Sequence, residues 1–174
     1  MQQCNKSKIP VKVSVITITW KTGYIDSMVA ALKAQLLPKD EWEWILVDDL
    51  WIVRKDIVRK YINKAFNFTH IPPREMYTHS ATAIAMNTGI VHANGELVYF
   101  MADYVHPHPL CLQRHWNVYR KYGPKVIISG PCLDGINTLN TSVFASEELP
   151  MRAVHVGKEM KVYREASPPI VWPL

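Results

Sequence analysis

The chain is short of the residues that announce a redox centre, a phosphate loop or a membrane span. It has three cysteines, Cys4, Cys111 and Cys132, far apart and with no C-x-x-C pair. That argues against a disulfide framework and a zinc site, and for reduced thiols. Seven glycines occur in 174 residues, and none forms a G-x-G-x-x-G or a G-x-x-x-x-G-K-[ST] string. The turn "TWKTGY" after the first strand-like run holds one glycine. A dinucleotide-binding fingerprint and a P-loop are therefore both missing. No apolar run approaches the ~20 residues that cross a bilayer. The opening "MQQCNKSKIP" lacks the apolar core of a signal peptide, so the expected location is the cytoplasm. There is no internal repeat, low-complexity tract or clear linker.

What is present is an ordinary globular composition. Hydrophobic residues make up 48% and charged residues 20%, enough for one soluble domain with a real core. The net charge of +5 suits phosphate-bearing ligands, nucleic acid or an anionic surface, and does not choose among them. The basic runs "RKDIVRK" and "YRKYGPK" lie in helical patterns and read as polar faces. No nucleic-acid-binding motif accompanies them, so nucleic acid is the weakest of the three.

Hydrophobic periodicity alternates along the chain. "VKVSVITITW" is rich in β-branched residues and predicts a strand buried on both faces. Ile25, Met28, Val29, Leu32 and Leu36 recur at helical spacing, and Pro38 closes that helix. "EWILVDD" (43–49) predicts a second strand. Val53, Ile57, Val58, Tyr61 and Ile62 predict a second helix with those residues inward. "FNFTHI" reads as a third strand, "PPREMYTHS" as a loop, and "ATAIAMNTGIVHAN" as a helix stopped at Asn94-Gly95. "ELVYFM", "HPLCLQRHWNVYRKYG" and "KVIISG" give a fourth strand, a helix ended by Gly123, and a fifth strand. Five strands alternating with helices predict an α/β domain, Rossmann-like, with a mostly parallel central sheet and right-handed crossovers. After Gly130 the pattern dissolves. The expected organisation is an α/β domain over 1–130 and a loop-rich extension over 131–174, part of the same domain or the remnant of an acceptor half.

Acids stand at the strand ends. In open α/β sheets ligands bind beyond the carboxyl ends of the strands. Thr19 and Trp20 end the first strand, Asp48 and Asp49 the second, and Asp103 the fourth. Each acid alone reads first as a helix N-cap, which is common after a strand. Three acids at two strand ends point instead to a shared cleft.

These motifs, in this order, resemble family 2 glycosyltransferases, enzymes of the A-type (GT-A) fold that use nucleotide-sugars. The family's opening strand, S-V-I-I-P-T-Y-N, is matched by "SVITITWK" at 14–21, and its V-D-D by 47–49. Its A-R-N-x-G-I-x-x-A-x-G-E segment, followed by apolar residues and D-x-D, is matched by "AMNTGIVHANGELVYFMADY" at 85–104. The resemblance implies a UDP- or GDP-sugar donor, an acceptor hydroxyl on a glycan, lipid or protein, and inverting transfer. It implies that Asp49, with Asp48 beside it, meets the base, that Thr19 and Trp20 frame it, and that Asn87 falls in the site. It also implies that Asp103 reaches the ribose or a divalent metal, Mg²⁺ or Mn²⁺, on the diphosphate.

The departures are specific. The family's asparagine is Lys21, its proline Ile18 and its arginine Met86, for which Arg74 is the candidate substitute or else a solvated loop residue. In the D-x-D triplet only the middle acid survives, as Ala102-Asp103-Tyr104. A neutral tyrosine is a poor ligand for Mg²⁺ or Mn²⁺, and Tyr104 can instead donate to a phosphate. His106 and His108 in "HPHP" read as replacement metal ligands or as a proline-stiffened turn. His115 and Trp116 read as packing; Asp26, Lys55 and Arg59 read as solvated. The family's catalytic base is a carboxylate well beyond the triplet. Asp134, Glu147, Glu148, Glu159 and Glu165 sit in no motif, and no base is assigned. Three functions follow in order: a glycosyltransferase or its donor-binding half; a non-catalytic nucleotide-sugar or glycan-binding module of the same fold; a basic nucleic-acid-binding domain.

Overall fold

The computed structural model describes residues 10–23, 25–61, 66–75, 82–130, 151–155 and 161–165, with backbone only for Tyr61 and the last two segments. The elements are β1 (Val13–Thr19), α1 (Ile25–Lys33), β2 (Trp42–Asp48), α2 (Trp51–Tyr61), β3 (Asn67–Ile71), α3 (Thr82–His92), β4 (Leu97–Ala102), α4 (Cys111–Tyr122), β5 (Val126–Ser129), β6 (Met151–His155) and β7 (Lys161–Glu165). Two compact units divide within α4, at Trp116 and Asn117.

In the first unit four parallel strands run in the order β3-β2-β1-β4. β2 is buried along its whole length, as its apolar, tryptophan-rich sequence requires. Alternation divides the core between the two faces. Ile16, Ile45 and Val47 lie on one face with Ala85 of α3. Trp42 and Trp44 lie on the other, each 4.8 Å from a phenyl ring, Phe66 and Phe68 respectively. Both indole N–H groups are satisfied, Trp44 donating to Thr17 Oγ1 (3.0 Å) and Trp42 to the Leu37 carbonyl (3.2 Å). Burying each such side chain stabilises the fold by about 1.5–3 kcal/mol.

The segment 85–96 is held close to β1. Gly89 of α3 lies over Ile16, where an added Cβ would sit 2.4 Å from Ile16 Cγ2. At Gly95 an added Cβ would meet the Ser14 backbone nitrogen at 2.6 Å. Glu43 is buried between them, accepting from Ser14 Oγ (2.6 Å) and from the Asn94 N–H (2.7 Å). The glycines of the family pattern thus serve close backbone packing here.

Four expectations are corrected. α1 ends at Lys33, before Leu36, which is 63% exposed while Leu37 enters the core. The Leu36 N–H instead donates to the Pro109 carbonyl (2.8 Å), which draws the chain out of the helix. α2 is rotated from its expected face. Val58 is buried as expected, but Val53 and Ile57 are 71% and 53% exposed and Arg54 points inward, because Arg54 is bound to Asp48. β5 is no fifth strand of the parallel sheet: it pairs antiparallel with β6, and β6 with β7, in the second unit. Its alternating half-exposed pattern suits an antiparallel strand better than a doubly covered parallel one. The tail read as loop-rich therefore contributes two strands. α4 ends before Gly123 as expected.

Candidate functional site

The chain winds from β1 through β2 to β3 on one side, then returns to place β4 on the other side of β1. The switch point is the gap between β1 and β4, where open α/β sheets bind ligands. Thr19 and Asp103 meet there. Thr19 Oγ1 donates to Asp103 Oδ2 at 2.8 Å, and both residues are buried. Alternation along β1 turns Thr17 and Thr19 to the same face, so the bond continues the packing below it.

The two acids after β2 differ. Asp48 is fully buried and its carboxylate is used up by the protein. Oδ1 accepts the Leu50 N–H (2.9 Å), a turn that starts α2. Oδ2 accepts from Arg54 Nε (3.2 Å) and His70 Nε2 (2.9 Å). Arg54 Nη1 donates to the Lys21 carbonyl, tying α2 to the loop after β1. Trp51 Nε1 donates to the His70 carbonyl (3.2 Å), closing the network over β3. Asp49 donates its backbone N–H to the Thr19 carbonyl (3.0 Å). Its half-buried carboxylate has no hydrogen-bond partner among the described residues. Burial first, and then the charge of Asp48, raise its pKa above the ordinary 3.8.

Trp20 and Tyr104 are 54% and 66% exposed and follow Thr19 and Asp103 directly. Lys21 is exposed, with its ammonium 5.0 Å from the Trp20 ring centre. The remaining candidates lie apart from this group. Arg74 is exposed beyond β3, two strands away from β1, its N–H bonded to Thr88 Oγ1 (2.9 Å). Asn87 is exposed in the middle of α3, on the side away from the buried Ala85, Thr88 and Gly89.

His106 is exposed and His108 Nδ1 accepts the Leu110 N–H (3.1 Å), which makes "HPHP" a turn. Gln35, unmarked in the sequence, clamps that turn. Its Nε2 donates to the carbonyls of His108 (2.9 Å) and Pro107 (3.3 Å), and its Oε1 accepts the Leu112 N–H (3.1 Å). His115 and Trp116 are buried in packing roles. Arg54 and His70 were likewise hidden, one in a basic run and one in a strand. The only signal for either is its facing position beside Asp48, which needs the fold.

Among the described residues no three His, Cys, Asp or Glu side chains converge to hold a metal ion. Asp103 is a single carboxylate already hydrogen-bonded to Thr19, Asp48 is consumed, and Tyr104 offers a neutral phenol. Among the described residues, Asp103, Asp48 and Tyr104 do not by themselves fit a resident Mg²⁺ or Mn²⁺ site.

Comparison with known proteins gives the framework. The crystal structure of residues 1–349 of TarS from S. aureus has a TM-score of 0.58 at 21% identity, over 67% of this chain and 34% of that one. The same fragment in complex with UDP-GlcNAc gives 0.56 at 25% identity, over 67% and 33%. The mannosyltransferase PcManGT from Pyrobaculum calidifontis, in complex with GDP-Man and Mn²⁺, gives 0.55 at 20% identity, over 77% and 39%. This chain therefore spans about a third of the TarS fragment's length. No curated protein sequence matches it. The family model of glycosyl transferase family 2 matches residues 14–143. That span starts within β1 and takes in all four parallel strands with both ends of the Thr19–Asp103 bond, and by it the chain belongs to glycosyl transferase family 2.

Proposed function

We propose that this chain binds a UDP- or GDP-sugar and serves the transfer of the sugar, with inversion, to an acceptor hydroxyl on a glycan, lipid or protein. The supporting observation is the Thr19–Asp103 hydrogen bond at the switch point, with the Asp49 carboxylate, unpartnered among the described residues, one strand away. Asp49 accepts an N–H of the base, Trp20 stacks on it, and Asp103 accepts from ribose hydroxyls. Asp48 belongs to the site through its hold on Arg54 and the Lys21 loop. Arg74 and Asn87 stand at its periphery. The donor-binding part is 1–130, and the acceptor half, with the general base that deprotonates the attacking hydroxyl, is unassigned. No helix among the described residues is long and apolar enough to cross a membrane. Cys111 is a free thiol, in keeping with the cytoplasm.

Isothermal titration with UDP, GDP and their sugar conjugates tests the reading. Saturable binding is expected, with Asp103→Ala weakening it by about tenfold, or 1.4 kcal/mol. Absence of binding to every nucleotide would sink it. The loss of both flanking acids of the triplet, as Ala102-Asp103-Tyr104, favours a second reading, a donor-binding module without turnover. Release of free nucleotide in the presence of acceptors separates the two. Steeply salt-dependent binding to DNA or RNA, with none to nucleotides, would support the nucleic-acid reading instead.

A further inference from the structure

We propose that this chain holds the donor's diphosphate with side chains in place of a metal ion, through the Tyr104 phenol and the Lys21 ammonium. The inference rests on the nucleotide-sugar reading above.

The Thr19–Asp103 bond is the fixed point. Tyr104 leaves it on the β4 side and Lys21 on the β1 side, so the two flank one carboxylate from opposite strands. Both are held by their backbones and exposed at their side chains. The Val105 N–H donates to the Ala102 carbonyl (3.1 Å), closing the turn that carries Asp103 and Tyr104. Gln35 grips the outgoing chain at Pro107 and His108. The Lys21 carbonyl is fixed by Arg54, while its ammonium lies against the exposed face of Trp20. A cation on an exposed ring is weakly held and readily exchanges that contact for a phosphate oxygen.

Charge completes the argument. A cluster of acids beside a diphosphate needs a dication to relieve the repulsion. Here Asp103 after β4 and Lys21 after β1 carry formal charges that cancel, and the Asp49 carboxylate, one strand away, is assigned to the base. Both residues are departures from the family pattern, an acid replaced by tyrosine and an asparagine by lysine. Both changes make the site less negative, and both residues carry a hydrogen-bond donor suited to an acceptor-only ligand. Asp103, an acceptor, suits ribose hydroxyls; the phenol and ammonium, donors, suit phosphate.

The test is calorimetric titration of the full chain with UDP and GDP, in EDTA and then in Mn²⁺. Wild type is expected to bind with the same affinity, within about twofold, in both. Tyr104→Phe and Lys21→Gln, each at an exposed position and melting like wild type, should weaken binding in EDTA by about tenfold. Tyr104→Asp should bind poorly in EDTA and recover in Mn²⁺, because the added acid creates the need for the ion. Wild-type binding that requires Mn²⁺ overturns the inference and leaves the donor site standing. So does undiminished binding by both Tyr104→Phe and Lys21→Gln in EDTA. Absence of wild-type binding in either condition overturns the donor-site reading and this inference with it.

Discussion

Asp48 and Asp49 are adjacent in the chain and do different work. Asp48 balances the buried Arg54, so Asp48→Ala leaves a guanidinium without its counter-charge and should cost about 3–5 kcal/mol, read as a lower midpoint in chemical denaturation. Asp49 has the opposite problem, a carboxylate with no donor among the described residues and an acidic neighbour. Its raised pKa means that the native state binds the proton more tightly than the unfolded chain does. The stability linked to it is therefore present below 3.8 and is lost as pH rises toward the native value. Asp49→Asn should remove that slope from a pH series of denaturation midpoints. In wild type, nucleotide affinity should fall as pH falls through the raised pKa, since the charged carboxylate accepts a base N–H more strongly than the neutral acid does; Asp49→Asn, a neutral acceptor, should bind more weakly and without that pH dependence. The sequence shows two equal acids here. Arg54 and His70, which distinguish them, are brought to Asp48 only by the packing of α2 and the pairing of β3. Thr19 and Asp103 were legible, because each stands where an apolar run ends and the parallel order puts those ends together.

At the scale of elements, periodicity located every helix and the first five strands. It misjudged the direction in which α2 faces, since one buried ion pair outweighed two β-branched residues. It also missed β6 and β7, whose partners are antiparallel neighbours in the second unit rather than a repeated strand–helix pattern. The helix α3 illustrates a constraint that periodicity does not express. Gly89 lets α3 approach Ile16 closely, and Gly89→Ala should destabilise the chain by about 1–3 kcal/mol through overpacking. Ile16→Ala opens the space that the new methyl needs. A double-mutant cycle by denaturation should therefore show the pair less destabilised than the sum of the singles, with coupling of about 0.5–3 kcal/mol. Strict additivity would mean that the helix shifts rather than presses on Ile16.

Over the whole molecule, the α/β class was legible because strand and helix patterns alternate with little ambiguity from 13 to 122. The division at Trp116 was not, because α4 runs across it without a break in periodicity or composition. The basic excess is likewise a property of the whole that points to no one place, and Lys21 is proposed for the site by its position beside Trp20, not by its share of the net charge. The separation of Thr19 and Asp103 by 84 residues has a consequence in time. β1, β2 and β3 can assemble in the order in which they leave the ribosome, but the Thr19–Asp103 pair does not exist until β4 returns past them to dock beside β1. Nucleotide added during refolding should thus find nothing to bind before the sheet is complete. In a chevron experiment it should slow the unfolding arm and leave the folding arm unchanged, and an accelerated folding arm would show that β4 docks before the rate-limiting step.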